Sequence, residues 1–292
     1  MWNEQKSFFS SSETGTLFVV PTPIGNLDDM TVRAINTLQT ADLIAAEDTR
    51  HTKKLCHKFE ILTPLISYHE HNKEERGRDL LERLGRGETV ALVSDAGTPA
   101  VSDPGYELVQ ACTEQGITVV SLPGPNAALT GLVASGLQVQ PFLFYGFLPR
   151  QKKEKTEVLE SLLNREETVI LYESPHRLRE SLTLLASIAA ERFVVVAREL
   201  TKQHETYIRG TAKELAEWSG TESIRGECCV YIAGNSDPIK HDEPAWWSLQ
   251  TMKEHVETYI KEGMQSKDAI KQVAVDREIQ KREVYQAYHV ED

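Results

Sequence analysis

The stretch that decides the fold runs from Val90 to Pro99: the apolar residues Val90-Ala91-Leu92-Val93 lead directly into Ser94-Asp95-Ala96-Gly97-Thr98-Pro99. Such a run predicts a buried strand that ends in an abrupt turn. A second run, Ile117 to Ser121, ends in the same way in Leu122-Pro123-Gly124-Pro125-Asn126-Ala127. Because ligands bind at the carboxyl ends of the strands of a parallel sheet, the two turns predict a binding cleft.

Composition limits the class of protein. Of 292 residues, 40% are hydrophobic and 26% are charged, which is typical of a soluble globular protein and long enough for two domains. Met1 to Thr14 lacks the apolar core of a secretory signal, and no stretch has the length and apolarity of a membrane span. No metal-ligand spacing is found among the cysteines, so we expect reduced thiols, a cytoplasmic location and no membrane partner: Cys56, Cys112, Cys228 and Cys229.

Two basic runs contrast with the overall charge. The formal net charge of −12 argues against a protein that coats nucleic acid without specificity. The first run is Arg50-His51-Thr52-Lys53-Lys54 with His57 and Lys58, and the second is Arg150-Gln151-Lys152-Lys153 with Lys155. Each is either a solvated helix face or a local surface for an acidic partner, and the sequence leaves both interpretations open.

The order of patterns along the chain predicts the domains. Strand-like and helix-like runs alternate from Leu17 to Ser135, which predicts crossover connections and a mostly parallel sheet. After Gln140-Pro141 the strands come at shorter spacings, which predicts antiparallel pairing. We therefore predict a flexible N-terminus over 1–14, an α/β domain over 15–124, a second α/β domain over 125–236, and a linker with a helical module over 237–292.

Short sequence signals predict where several helices begin, and an aromatic strand is one candidate for an interface. Asn126 is the expected N-cap of a helix that runs to Gly136, and Ser174 that of a helix that begins at Pro175. Ser266 is expected to cap a helix through Val275, and a helix from Lys281 to His289 completes a module that resembles a helix-turn-helix. Whether that module contacts RNA or only packs remains open. The aromatic strand over 142–147 is assigned to a domain core, with an interface as the alternative.

The turn after the first predicted strand, Val20 to Leu27, carries Gly25 between strand and helix. It lacks both the GxGxxG spacing and the GxxxxGK[ST] lysine of phosphate-binding loops. We therefore expect it to line a substrate cleft and not to bind nucleotide phosphates.

Taken together, these turns resemble a known family. Their order and separation are similar to those of the S-adenosylmethionine-dependent methyltransferases of the tetrapyrrole methylase superfamily. Four motifs more narrowly resemble the branch that methylates cytidine 2'-hydroxyls of small-subunit (16S) ribosomal RNA: Thr22 to Leu27, Ala46 to Thr52, Tyr172 to Arg177 and Ala197 to Lys202. Thr22, Ile24 and Asn26 stand where the porphyrin and corrin enzymes carry a fuller GxGxGD-type loop, which favours the RNA branch. The resemblance covers about residues 14 to 292.

The resemblance implies a fold and an activity. The fold is two α/β domains with a donor cleft between them, as in class III methyltransferases, plus a small C-terminal helical module. The activity is transfer of a methyl group from S-adenosylmethionine to a cytidine ribose of 16S ribosomal RNA, at the decoding centre, with no metal. The partners are 16S ribosomal RNA within the small subunit and a second copy of the chain in a homodimer.

A sulfonium donor needs an acidic or carbonyl-rich wall, donors for its carboxylate, and a slot for adenine. We assign donor binding to the two turns after the predicted strands: Asp95, Ala96, Gly97, Thr98, Pro99, Ser102, Gly124, Asn126 and Ala127. Asp95 alternatively caps its own turn. We assign substrate binding to residues of the resembling motifs, with the arginines suited to RNA phosphates: Pro23, Gly25, Asn26, Arg50, His176, Arg177, Arg198 and Glu199.

The reaction also needs a group that receives or orients the hydroxyl proton, because a ribose hydroxyl is a poor nucleophile at neutral pH. The expected cleft contains seven candidates: Glu47, Asp48, Glu173, His176, Glu199, Lys202 and Glu205. We assign Glu47, Asp48, Glu173 and Lys202 to the catalytic set, without ranking them. Asp48 is alternatively a local ion pair with Arg50.

Two other functions compete with this one. The same scaffold supports a methyltransferase for a tetrapyrrole or another small molecule, although the altered first loop and the basic runs speak against it. A non-catalytic factor for ribosome assembly, which binds RNA through the tail and the basic runs, is the second alternative. It predicts that the chain does not bind the donor.

Overall fold

The computed structural model describes residues 4–7, 14–237, 246–247, 250–277 and 279–289. Most of the predicted flexible N-terminus and most of the predicted linker lie outside these residues. The chain divides into two compact units, Met1–Asp237 and Pro238–Asp292. The further division of the first unit at 124/125 stays a prediction. Among the described residues, no helix is both long and apolar enough to cross a membrane.

The first sheet is entirely parallel, as the alternating pattern predicts. Its order is β3-β2-β4-β1-β5, and the strands are β1 (Thr16–Val19), β2 (Leu43–Ala46), β3 (Leu65–Ser67), β4 (Val90–Val93) and β5 (Thr118–Ser121). The helices between them are α1 (Val32–Thr40), α2 (Thr49–Lys58), α3 (Lys73–Gly85) and α4 (Tyr106–Glu114). Successive β4 residues pack into different apolar clusters, Val90 and Leu92 into one and Ala91 and Val93 into the other. Both faces of the sheet are therefore covered, as a parallel sheet requires.

The second sheet is mixed, and its last strands are antiparallel as predicted. Its order is β6-β7-β10-β8-β9, with only β6 and β7 parallel. The strands are β6 (Phe142–Phe147), β7 (Thr168–Glu173), β8 (Phe193–Arg198), β9 (Thr206–Thr211) and β10 (Cys228–Ile232). The helices are α5 (Ala127–Ser135), which precedes the sheet, and α6 (Lys152–Leu163), α7 (Pro175–Ile188) and α8 (Ala212–Thr221).

Helix α5 connects the binding turn after β5 to the second sheet. Asn126 caps it as predicted, because its side-chain oxygen accepts a hydrogen bond from the Leu129 N–H. At the sheet, the Tyr231 hydroxyl donates to the Ala127 carbonyl at 3.0 Å. A Cβ added to Gly131 lies only 2.0 Å from that hydroxyl oxygen, so the close approach of helix and strand requires glycine.

The aromatic strand β6 is only partly core. Phe144 packs against a buried apolar cluster, but Phe142, Tyr145 and Phe147 are 41%, 39% and 53% exposed. The expectation that the strand serves a domain core is therefore wrong for these three residues. The physical reason is that β6 lies at the edge of its sheet, where fewer elements cover the side chains.

The described residues of the C-terminal unit form three helices, α9 (Met252–Lys261), α10 (Ser266–Asp276) and α11 (Lys281–His289). They share a small apolar core around Val256, Val273 and Val284. The expected cap at Ser266 is wrong by one residue, because Gln265 has the extended backbone of the cap and Ser266 is already helical.

His255 is fully buried in this unit, and the hydrogen bond to its ring requires the neutral form of the imidazole. Its Nδ1 accepts a hydrogen bond from Arg277 Nε at 3.3 Å, which requires that nitrogen to carry no proton. Its Nε2 lies 3.3 Å from an Asp276 carboxylate oxygen. Burial, with help from the Arg277 charge, lowers the pKa of His255 below its ordinary value of 6.5.

The lowered pKa of His255 predicts that the C-terminal unit loses stability in acid. The unfolded chain takes up a proton at this residue as the pH falls through about 6.5, and the folded unit does so only at lower pH. The melting temperature of the unit should therefore fall between about pH 7.5 and about pH 5.5, followed by tryptophan fluorescence because Trp246 and Trp247 pack against His255. The His255→Asn variant should melt lower at pH 7.5 but lose this dependence. Equal pH dependence in both proteins contradicts the prediction.

Candidate functional site

A cavity of about 400 Å³ lies where the carboxyl ends of strands from both sheets meet. This volume lies within the range of about 300–1,000 Å³ that is typical of small-molecule sites. Its walls come from the turns after β1, β2, β4, β5, β7 and β8, from the end of β6 and from the start of β10. All of these residues belong to the first compact unit.

Three turns of the first sheet are hydrogen-bonded to one another. Thr22 and Gly97 exchange two backbone hydrogen bonds, of 2.9 and 3.0 Å, and the Thr22 hydroxyl donates to the Ser94 carbonyl. The Thr98 hydroxyl donates to the Pro125 carbonyl at 3.2 Å. Gly97 has a φ of +77°, a left-handed conformation that glycine adopts without strain. The turns after β1, β4 and β5 therefore form one preorganised wall.

Most of the predicted donor-binding residues lie on this wall. Seven of the nine line the cavity: Asp95, Ala96, Gly97, Thr98, Ser102, Asn126 and Ala127. Pro99 is buried behind the lining. Gly124 also lies outside the lining, and a Cβ added to it would lie 2.6 Å from the Pro21 Cβ. Gly124 therefore allows two turns to approach each other closely.

The wall carries a chain of carboxylates linked through backbone N–H groups. Glu47 accepts a hydrogen bond from the Asp95 N–H, and Asp95 in turn accepts one from the Asp48 N–H, each at 3.2 Å. Burial, with Asp95 and Asp48 nearby, raises the pKa of Glu47, although the Asp95 N–H and His69 act in the opposite direction. The predicted catalytic residue Glu47 thus lies in the cavity.

Asp103 is a partly buried carboxyl group of the same wall. Burial and, after it, the charge of Glu47 raise its pKa from 3.8 to about 6. The neighbouring charges of Asp95 and Glu227 act in the same direction, and a hydrogen bond with Ser94 acts against them. A carboxyl group with this pKa is ionised at neutral pH and accepts a proton more readily than an ordinary aspartate.

Asp48 and Arg50 lie outside the cavity lining. The Asp48 carboxylate caps α2 by accepting the Arg50 N–H and pairs with the Arg50 guanidinium at 2.7 Å. These contacts hold the pKa of Asp48 well below its usual range. The local ion pair that the sequence offered as an alternative is therefore present.

Glu173 lines the cavity, but hydrogen bonds occupy both of its oxygens. One accepts the Ser174 N–H at 3.0 Å and the other the Ser181 hydroxyl at 2.6 Å. Arg177 lies 3.5 Å away and donates to the carbonyls of Leu148 and Pro149. This cluster fixes the start of α7 against the end of β6.

Lys202 joins the first loop to the second sheet. Its ammonium group pairs with Glu199 at 2.9 Å and lies 3.7 Å from Glu227, and all three side chains line the cavity. A Cβ added to Gly25 would lie 2.4 Å from Lys202 Cγ, so the glycine lets the loop approach this lysine. Asn26, in the same loop, caps a short 3₁₀ turn through the Asp28 N–H.

The other predicted substrate residues lie outside the cavity lining. Pro23 belongs to the first loop and is half-buried. His176 is exposed in the first turn of α7. Arg198 ends β8, and its Nε is buried without a hydrogen-bond partner among the described residues. The structure thus brings together in the lining seven of the nine donor residues, three of the four catalytic residues and Glu199, and leaves the remaining substrate residues outside the lining.

Several lining residues carry no sequence signal of their own. Glu227, Cys228 and Cys229 reach the cavity because β10 is antiparallel to β7 and β8, which places its first residue opposite Glu173 and Arg198. All four cysteines are free and buried. Burial raises the pKa of Cys228 to about 11 and that of Cys229 to about 12, so both thiols are protonated and unreactive at neutral pH.

The described part of the chain has no cluster of metal ligands. It contains no group of three or more His, Cys, Asp or Glu side chains with metal-binding geometry. The carboxylates of the cavity wall instead meet backbone N–H groups, hydroxyl groups and Lys202.

Comparison with known families identifies the family of the chain. Residues 16–216 match the family described as tetrapyrrole (corrin/porphyrin) methylases. The chain belongs to this family. The resemblance inferred from the turns is thereby confirmed, and the matched range includes the residues that follow β4 and β5.

Curated relatives match almost the whole chain. It is 57% identical over 290 residues to "Ribosomal RNA small subunit methyltransferase I" of Bacillus subtilis, with 99% of each chain covered. It is 46% identical over 273 residues to the protein of the same name from Synechocystis, with 93% of this chain and 96% of that one covered. The C-terminal unit is thus part of the similarity.

Solved structures share the fold of this methylase family. A cobalt precorrin-4 methyltransferase aligns with a TM-score of 0.58 and 21% identity, covering 75% of this chain and 94% of that one. A diphthine synthase aligns with a TM-score of 0.57 and 15% identity, covering 75% and 89%. At this identity the likeness is one of fold, and it confirms the predicted class III methyltransferase architecture.

Proposed function

We propose that this chain transfers a methyl group from S-adenosylmethionine to the 2'-hydroxyl of a cytidine in small-subunit (16S) ribosomal RNA, at the decoding centre. The observation that carries the proposal is the cavity itself, in which the donor turns of the first sheet face the turns after β7 and β8. The turns after β7 and β8 contain two of the motifs that resemble the RNA-methylating branch, and the donor turns carry the pattern of the wider superfamily. The name shared by the curated relatives supports the RNA substrate.

The residues present fit the donor. An acidic wall that contains Glu47, Asp95 and Asp103 suits a sulfonium cation, because opposite charges attract strongly in a partly dehydrated pocket. The apolar lining between Ile24 and Leu200 suits an adenine ring. The glycine and proline turns leave backbone groups accessible to the polar ends of the molecule.

When bound, the donor supplies an activated methyl group on its sulfonium sulfur. The protein holds the ribose oxygen and that carbon in line at roughly 3 Å, so that the O–C bond forms as the C–S bond breaks. The hydroxyl proton must leave, and we assign its acceptance to Asp103. Burial and the charge of Glu47 raise its pKa to about 6, near the pH at which a proton acceptor is most effective.

The four catalytic residues inferred from the sequence receive different roles in this proposal. Glu47 keeps the pKa of Asp103 high, and Glu173 and Lys202 hold the turns of the second sheet in position. Asp48 fixes the start of α2. The substrate residues Pro23, Gly25 and Asn26 belong to the first loop, in which Ile24 lines the cavity and Gly25 lies against Lys202.

The proposal includes an assembly and a compartment. The exposed aromatic residues of the edge strand β6 support a homodimer, because edge strands with apolar side chains are suited to pairing with a second copy. The four free cysteines support a reducing compartment, the cytoplasm. The acidic overall charge favours a folded, partly assembled subunit over naked RNA as the substrate.

Purified protein incubated with methyl-labelled donor should label small ribosomal subunits from cells that lack this gene, and nuclease mapping should place the label on a cytidine ribose. Subunits from cells that carry the gene are the matched control and should remain unlabelled, because their site is already methylated. Labelling of a porphyrin precursor, with no labelling of RNA, would instead support the small-molecule alternative. Absence of donor binding in calorimetry would support a non-catalytic assembly factor.

A further inference from the structure

Helix α2 presents a continuous basic face to solvent. Six of its ten residues are exposed and basic, and none of the ten is acidic: Arg50, His51, Lys53, Lys54, His57 and Lys58. The opposite face, with Thr52, Leu55 and Cys56, is buried against the first sheet. The chain has a net charge of −12, so the positive charge of this helix face is opposite in sign to that of the whole protein.

The spacing of these residues forms a stripe along the helix. Arg50, Lys53, Lys54 and His57 follow one another at i, i+3, i+4 and i+7, so their side chains lie on one side over about 10 Å of helix length. The same four residues line a shallow surface depression. A stripe of this length matches a run of a few phosphates better than a single anion.

Most of these charges have no acidic partner. Within the described residues, only Arg50 forms an ion pair, with the cap residue Asp48. Of the four residues of the stripe, Lys53, Lys54 and, when protonated, His57 have no such partner in the described part of the chain, and their charges repel one another. Such an arrangement costs stability unless an anionic partner binds it.

The second basic run of the sequence, on α6, has a different character. Lys155 is 1% exposed and pairs with Glu180 at 2.9 Å, and Lys153 pairs with Glu157. Glu154 and Glu160 are also exposed on α6. The α6 surface is therefore a mixed-charge helix face, on which acidic side chains lie among the basic ones.

The stripe begins beside the cavity. Helix α2 starts at Thr49, directly after Glu47 and Asp48, and the Asp48 N–H is hydrogen-bonded to Asp95 on the cavity wall. Glu47 itself lines the cavity. A strand that lies along α2 therefore reaches the cavity entrance at the first turn of the helix.

We propose that the exposed face of α2 binds the phosphate backbone of the RNA strand whose target ribose enters the cavity. This assignment rests on the proposed function and adds the surface that holds the substrate. Lys53 and Lys54 act as point charges on phosphates, and Arg50, held by Asp48, lies nearest the entrance. Charge complementarity selects a polyanion, and the position beside the cavity selects the RNA that is methylated.

The test compares Lys53→Ala/Lys54→Ala with Lys152→Ala/Lys153→Ala, which removes the same charge from exposed positions on α6. The α2 variant should raise the KM for small subunits about tenfold at near-physiological salt with little change in kcat. The slope of log affinity against log salt should become shallower by about 0.7 for each phosphate that the protein no longer neutralises. The α6 variant should behave like the wild type, and calorimetry should give the same donor affinity for all three proteins.

Three results would overturn the proposal. An unchanged KM in the α2 variant shows that the face does not hold RNA, and an equal rise in both variants shows only an effect of total charge. Loss of binding to anionic phospholipid vesicles, with RNA methylation unchanged, assigns the face to a lipid surface. Failure of the wild type to methylate any RNA is a separate outcome, because it rejects the proposed function before the variants are compared.

Discussion

Asp103→Asn is expected to reduce kcat by about 10²–10⁴-fold, the range in which a positioned proton acceptor acts. The amide keeps the shape of the side chain and a partner for Ser94, but it cannot take up the hydroxyl proton. The affinity for the donor should change little, since the other carboxylates of the wall remain. Single-turnover rates with saturating subunits, together with calorimetry of donor binding, measure the two quantities separately.

The pH profile provides an independent test of Asp103. In the wild type kcat/KM should fall as the pH drops below about 6, because the carboxyl group must be ionised to accept a proton. Glu47→Gln removes a negative neighbour, so the pKa of Asp103 should fall and the acid limb should move to lower pH while most of the rate remains. If Glu47→Gln abolishes the rate and Asp103→Asn retains it, the acceptor is Glu47 and the assignment to Asp103 is wrong.

The first sheet could be predicted well from the sequence because its signals are local. A strand covered on both faces is a continuous apolar run, such as Val90 to Val93, and the turn that ends it is rich in glycine and proline. The cap at Asn126 is equally local, since it depends only on residues within one helical turn. The edge position of β6 depends on which strands pair, and therefore the exposure of its aromatic residues could not be predicted.

The lining residues that lie in turns could be predicted from the sequence. Those that reach the cavity through the register of strand pairing could not. Seven donor residues of the predicted set follow β4 and β5 and line the cavity. Glu227 lies before an ordinary apolar strand and reaches the cavity only through antiparallel pairing of β10 with its neighbours. The raised pKa of Asp103 results from burial and from the charge of Glu47, which is distant in sequence.

The two basic runs also show that the sequence does not reveal contacts between elements that are distant along the chain. Both have similar composition, yet one forms a continuous basic stripe on α2 and the other lies on a mixed-charge face of α6, with Lys155 buried in an ion pair. The difference lies in acidic partners from elsewhere in the fold, since Glu180 on α7 accepts the buried Lys155. Only the packing of α6 on α7 reveals that Lys155 is structural.

Gly131→Ala is expected to destabilise the first unit by about 3 kcal/mol, the upper part of the range for overpacking a core. The added Cβ would lie 2.0 Å from the Tyr231 hydroxyl oxygen and 2.6 Å from its ring carbon. Tyr231 is fully buried and bonded to the Ala127 carbonyl, so its ring has little room to move. Helix α5 must shift instead, and with it Asn126 and Ala127 in the cavity wall.

In thermal unfolding, the lower stability of the Gly131→Ala variant should appear as a fall of about 6–12 °C in the melting temperature of the first unit. Weaker donor binding should accompany it. Gly77→Ala is the matched control, because Gly77 lies within helix α3 and an added Cβ meets nothing within 4 Å. That variant should gain about 0.5–1 kcal/mol from the better helix propensity of alanine. A Gly131→Ala protein as stable as the wild type would show that helix and strand do not pack as closely as the contact between Gly131 and Tyr231 requires.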